Sequence, residues 1–165
     1  MTEEDKKLLF FDLSTRVLYN PKIRLSLDIH QVNDLGEETV EHHEENSTLI
    51  GTIHLCDGFI ILNESHNWFN IEEVKPYLRP MSSMTKEELN KLRNYSELLY
   101  DNLELSSFQN GTYKCLDFYL SEIPADVVIK VFDWLHMHHF DYRGLISMGL
   151  ALEASKDIYE NKSIY

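Results

Sequence analysis

His136-Met-His-His-Phe-Asp141 is the densest set of side chains able to do chemistry. Imidazoles and carboxylates at i, i+3 spacing on a helix can share a metal ion, and Asp133 with His136, or His136 with His139, offers two such ligands. A catalytic zinc site needs a third, yet neither an H-E-x-x-H pattern nor a carboxylate-rich loop flanks the run. His136, His139 and Asp141 therefore form an incomplete metal set, and a metal-dependent hydrolase using His136, His138, His139 and Asp141 ranks last of three functional readings. The competing expectation is a helix C-terminus, where imidazoles bond the last carbonyls and, when protonated, suit the negative end of the dipole.

His42-His43-Glu44-Glu45 carries ligand types too, but it closes a run from Asp34 to Glu45 with six acidic residues and no basic one. Such a run reads as an exposed loop or a poorly anchored strand tip. Ser82, Ser83, Cys56 and Cys115 are the available nucleophiles, and none lies in a Gly-x-Ser-x-Gly elbow or another activating context. The six glycines form neither Gly-x-Gly-x-x-Gly nor Gly-x-x-x-x-Gly-Lys, so no cofactor is expected. Aromatic and arginine side chains remain: Trp68, Phe69, Tyr77 and Arg79 in one stretch, Phe140, Tyr142 and Arg143 in another. Such residues dominate binding hot spots. Tyr77, Arg79, His138, His139, Tyr142 and Arg143 are thus the candidate ligand- or partner-binding residues, unless they only pin linker and tail to a core.

The 165 residues are 43% hydrophobic and 26% charged, the composition of one ordinary globular domain, 1–165. A net charge of -13 argues against general nucleic-acid binding, whose affinity comes from Lys and Arg. Charge is uneven: residues 1–74 sum to -10, residues 75–93 to +3 and residues 94–165 to -6. The acidic start, with only Leu8 to Phe11 as an apolar run, does not make a secretory signal, and no run approaches the ~20 residues of a membrane span. A reducing cytoplasm is the expected setting, with Cys56 and Cys115 as free thiols outside any C-x-x-C pair.

The elements that must position these groups divide the chain into a sheet-rich part, 1–74, a connector, 75–84, stiffened by Pro76 and Pro80, and a helix-rich part, 85–165. A helix is expected over residues 4–15, and the alternation from Ile23 to Ile29 marks a half-buried strand. Leu49–Cys56 and Phe59–Leu62 flank Asp57-Gly58 as a hairpin, with Trp68 and Phe69 in a linker after it. Thr85 and Glu88 form a capping box for a helix whose apolar positions recur to Leu103. A turn at Asn110-Gly111 and a strand over Thr112–Leu120 precede a helix with Pro124 at its first position. The expected class is α+β: a small, strongly curved antiparallel sheet of the size of an SH3-like barrel, packed with a helical C-terminal half.

Lys75-Pro-Tyr-Leu-Arg-Pro-Met-Ser-Ser-Met-Thr85 and His138-His-Phe-Asp-Tyr-Arg-Gly-Leu-Ile146, continuing through Gly149-Leu-Ala-Leu-Glu-Ala154, resemble the signature segments of a family of small, acidic, uncharacterised proteins of phages and prophages of gut bacteria. The resemblance covers about 30 of the 165 residues closely. It implies the cytoplasm of an infected or prophage-bearing host and carries over no activity or site residue. With no catalytic motif assembled, the expectation is a non-enzymatic accessory protein, for example a counter-defence inhibitor, whose acidic surface engages a basic host partner. The second reading is a sponge for a nucleotide-like signalling molecule, oligomeric, with Arg79, Arg143, Tyr77 and Tyr142 converging on one pocket.

Overall fold

The computed structural model describes residues 1–32, 38–55, 58–94 and 124–160. Helix α1, Glu3–Arg16, opens the chain. Thr2 and Asp5 close its capping box, with Thr2 Oγ1 accepting the Asp5 N–H at 3.1 Å and Asp5 Oδ2 accepting the Thr2 N–H at 2.9 Å. A 3-10 turn over Val17–Tyr19 then stops at Asn20, whose φ of 48° is left-handed, a conformation that asparagine tolerates better than most residues.

Seven strands follow: β1 Lys22–Val32, β2 Glu38–Leu55, β3 Gly58–Asn63, β4 Trp68–Asn70, β5 Val74–Pro80, β6 Phe140–Asp141 and β7 Leu152–Glu153. The helices of the second half are α2 Lys86–Arg93, α3 Ala125–Met137 and α4 Lys156–Glu160. The spatial order is β4-β3-β2-β1-β5-β6, with β7 also on β5. Pairs from β4 through β5 are antiparallel, whereas β6 and β7 run parallel to β5. The class is α+β, with a mixed rather than antiparallel sheet to which the C-terminal half contributes two short strands.

The expected connector is strand β5, with Tyr77 and Leu78 buried. Prolines break most interior ladders because they lack an N–H, and here the ladder with β1 accordingly ends at Ile23↔Pro76. The phenol of Tyr159 bridges the chains beyond it, accepting the Lys22 N–H at 3.2 Å and donating to the Tyr77 carbonyl at 2.6 Å. Burial raises the Tyr159 hydroxyl above its ordinary range, which keeps it a donor.

Other elements differ from expectation in ways that follow from pairing. Trp68 and Phe69 lie in β4, hydrogen-bonded to β3. The β2–β3 hairpin sets Leu55 opposite Gly58, so Gly58 belongs to β3 and not to the joint, while Cys56 and Asp57 lie outside the described residues. Pro124 is the N-cap of α3, not its first helical residue. The Thr85–Glu88 capping box is present, while the extension of that helix to Leu103, the Asn110-Gly111 turn and the Thr112–Leu120 strand lie outside the described residues.

Leu9 and Leu13 of α1 meet Ile23, Leu25, Leu49, Ile61, Val74 and Leu78 of the sheet in one apolar core. Leu92 of α2, Val131 and Trp134 of α3 and Phe140 of β6 form a second. The alternation of β1 buries Ile23 and Leu25 completely, but Ile29 is 41% exposed because the strand runs on past the core. Among the described residues no helix is long and apolar enough to cross a membrane.

Tyr159→Phe keeps the ring stacked on His139, 4.0 Å away, and removes only the bridging hydroxyl. It is expected to cost about 1–3 kcal/mol in urea unfolding, because two backbone groups lose their partner. An unchanged midpoint would show that the bridge carries no stability.

Candidate partner-docking site

The structure sends the sequence-derived candidates to separate places. Tyr77 Oη accepts Arg24 Nε at 2.9 Å and donates to Asn46 Oδ1 at 2.8 Å. Arg79 forms a bidentate pair with Glu88 at 2.8 and 3.1 Å, and its guanidinium lies 4.2 Å from the Phe140 ring centroid. Burial alone would raise the Glu88 carboxyl, but hydrogen bonds from Arg79 and from the Thr85 backbone outweigh it and hold the group below the usual range. Arg79 thus ties β5 to the first turn of α2. Arg143 instead pairs with Asp12 at 3.1 Å and lies over the Tyr142 and Phe11 rings. The pocket of Tyr77, Arg79, Tyr142 and Arg143 is not assembled, since each group has a different internal partner.

The histidine run does end a helix, with one departure. His138 Nδ1 donates to the Trp134 carbonyl at 2.9 Å and the ring stacks on Trp134 at 4.0 Å, as a C-terminal cap should. His139 takes the left-handed position just past the helix, φ 58°, with its ring stacked on Tyr159. His136 faces inward and is only 7% exposed. The Asp141 carboxylate accepts the Leu145 and Ile146 N–H groups at 2.8 and 2.9 Å, which folds the following turn and occupies both oxygens. His136, His139 and Asp141 therefore do not form a metal set, and no group of three or more His, Cys, Asp or Glu among the described residues could hold an ion.

His136 belongs to a buried polar cluster that sequence reading missed. Asp12 and Arg16, both fully buried, pair at 2.6 Å within α1, and Arg16 Nη2 donates to the Phe140 carbonyl at 2.8 Å. His136 Nε2 and the Tyr142 hydroxyl share a hydrogen bond of 2.7 Å. Burial, and then the Arg16 charge, lower the His136 pKa to about 4, so the protonated cap expected from the sequence is neutral here. Burial likewise raises the Tyr142 hydroxyl. A signal existed: positions 9, 12, 13 and 16 share the inward face of α1, and two of the four are charged. The cluster joins α1, α3 and the turn after β6.

The β1–β2 ribbon is the second missed feature. Of the two readings of the acidic run, loop or strand tip, residues 38–45 take the strand, in a ribbon paired residue by residue from Lys22↔Thr48 to Val32↔Glu38. Cross-strand charge pairs replace the apolar anchors it lacks: His42 Nδ1 with Asp28 at 2.8 Å, His30 Nδ1 with Glu38 at 2.8 Å and Arg24 with Glu44 at 3.4 Å. The Asp28 hydrogen bond raises the His42 pKa, and Glu44 adds to it. Residues 26–32 and 38–48 carry Asp28, Glu38, Glu41, Glu44 and Glu45 and no Lys or Arg. Because β3 joins β2 only from Leu49 onward, no described strand pairs with the outer edge of residues 38–48. At Thr48 the carbonyl accepts the Glu64 N–H at 2.9 Å; the edge of residues 38–47, unpaired among the described strands and flanked by carboxylates on both faces, can accept a basic strand.

Comparison with protein-family models, with curated proteins and with solved structures finds no match to this chain.

Two outcomes test the buried cluster. Asp12→Asn leaves two guanidiniums facing no carboxylate and should cost about 3–5 kcal/mol, whereas Asp12→Leu with Arg16→Met should recover part of that loss. Since the folded-state pKa of His136 lies below its unfolded value of 6.5, its contribution is complete above pH 6.5 and is lost as pH falls toward about 4. A His136→Gln variant should show a shallower fall in urea midpoint across that window, and identical slopes would refute the assignment.

Proposed function

We propose that this chain is a non-enzymatic binding protein of phage type, acting on a host component by docking a basic, extended segment of a host protein along the β2 edge. One observation carries the reading: an edge of residues 38–47 without a described strand partner, in a ribbon with four carboxylates on β2 and one on β1. Glu41 and Glu45 fall on one face of β2 and Glu38 and Glu44 on the other, so an incoming strand with lysines or arginines on both faces meets a carboxylate either way. Backbone ladder bonds supply affinity and the charges supply rate and selection. The resemblance of the 75–85 and 138–154 segments to phage and prophage proteins supports the host-cell setting.

The test is capture from prophage-bearing cells with the wild type and with a Glu38→Gln, Glu41→Gln, Glu44→Gln, Glu45→Gln variant, followed by hydrogen exchange on the complex. The proposal expects a protein with a basic segment, bound by the wild type alone, and slowed exchange at residues 39–47. Association should slow at least about tenfold between about 50 and 300 mM salt. The His42 pKa is raised by Asp28, so its protonation offsets one of the five ribbon carboxylates and binding should be weaker at pH 5.5 than at pH 8. Equal capture by the variant, or a salt-independent rate, would overturn the reading.

A further inference from the structure

The sheet register also gathers positive charge. Lys22 and Arg24 of β1, Lys75 and Tyr77 of β5, and Asn46 and Thr48 of β2 share the face of the sheet opposite α1. Three cations thus meet in a chain of net charge -13. Arg24 pairs with Glu44 at 3.4 Å, while Lys22 and Lys75 have no ion-pair partner among the described residues. Beside them opens a cleft of about 200 Å³ lined by Lys22, Asn46, Ser47, Tyr77 and Ile158, with no carboxylate in its wall among the described residues.

We propose that this cleft binds a compact phosphate monoester. The donors are arranged for an anion. Lys22 Nζ spends one proton on Thr48 Oγ1, 2.6 Å away, and keeps two. Asn46 Oδ1 is taken by the Tyr77 hydroxyl, which leaves the Asn46 amide N–H groups to donate. Ser47 also borders the cleft, but strand alternation turns its side chain to the buried α1 face. Arg24 and Lys75 add positive field from the neighbouring register position. A phosphate monoester brings a charge of about -1.5 to -2 and three acceptor oxygens, matching this set better than a carboxylate with one charge and two oxygens. The volume equals that of about seven liquid waters, room for a phosphoryl group and a few carbons, and the Tyr77 ring and Ile158 supply apolar wall for the carbons. The site uses none of the ribbon carboxylates on which the docking proposal rests.

Calorimetric titration of the full chain with ribose 5-phosphate, inorganic phosphate and ribose tests this in physiological salt. The ester is expected to saturate at one per chain, inorganic phosphate to compete more weakly, and ribose not to bind. Lys22→Met, which keeps the stem, and Asn46→Asp, which puts a carboxylate in the wall, should each weaken ester binding at least about tenfold. Thermal melts confirm that both variants fold, and Glu41→Gln with Glu45→Gln should bind the ester as the wild type does. No saturation with the ester and inorganic phosphate up to millimolar concentration would overturn the proposal. So would unchanged ester affinity in a folded Lys22→Met or Asn46→Asp variant, or equal affinity for ribose.

Discussion

The interior carboxylate of Asp12 is the constraint on which the assembly turns. It has no exposure and faces two guanidiniums, Arg16 from its own helix and Arg143 from the turn after β6. Charges moved out of water are tolerable only when paired and hydrogen-bonded. The Asp12–Arg16 pair forms within α1, but Arg143 and the Phe140 carbonyl reach it only when α1 and the β6 turn come to one place. Arg16 extends the same link to the Phe140 carbonyl, and β6 in turn hydrogen-bonds to β5. An ion pair of this kind adds less to net stability than an apolar contact of equal size, but its geometric demand makes alternative packings costly.

Strand pairing has a second consequence, the sorting of charge. Because opposed residues share a face, the register of β1 with β2 places acidic side chains of one strand against histidines and Arg24 of the other. The same register, continued to β5, brings Lys22, Arg24 and Lys75 together a few residues away. A chain that is acidic throughout most of its length thus acquires an acidic arm and a cationic face on one sheet. His136, buried and neutral, belongs to the interior instead.

Several elements were legible beforehand because their signals are local. Capping boxes, the alternation from Ile23 and the hairpin between β2 and β3 each depend on residues within a few positions of one another. The candidate residues were legible only as types. Tyr77, Arg79, Tyr142 and Arg143 are indeed anchored among charged and aromatic groups, but with Arg24, Glu88, His136 and Asp12, partners whose distance in sequence runs from 6 to 131 positions. Periodicity cannot show which of two exposed-looking charges will meet.

The amino-acid sequence by itself determined the α+β composition, the approximate span of α1, the capped start of α2 and the acidity of the ribbon segment, since capping, alternation and charge content are carried by neighbouring residues. Tertiary structure alone decided that the proline-bearing segment 74–80 is an inner strand, because the Tyr159 hydroxyl, 82 residues after Tyr77, supplies the bridge beyond the end of its ladder. It decided too that the acidic run is a paired strand and that Asp12 and Arg16 lie inside. In each case the stabilising partner is remote in the chain, and only the closed sheet puts it within hydrogen-bonding distance.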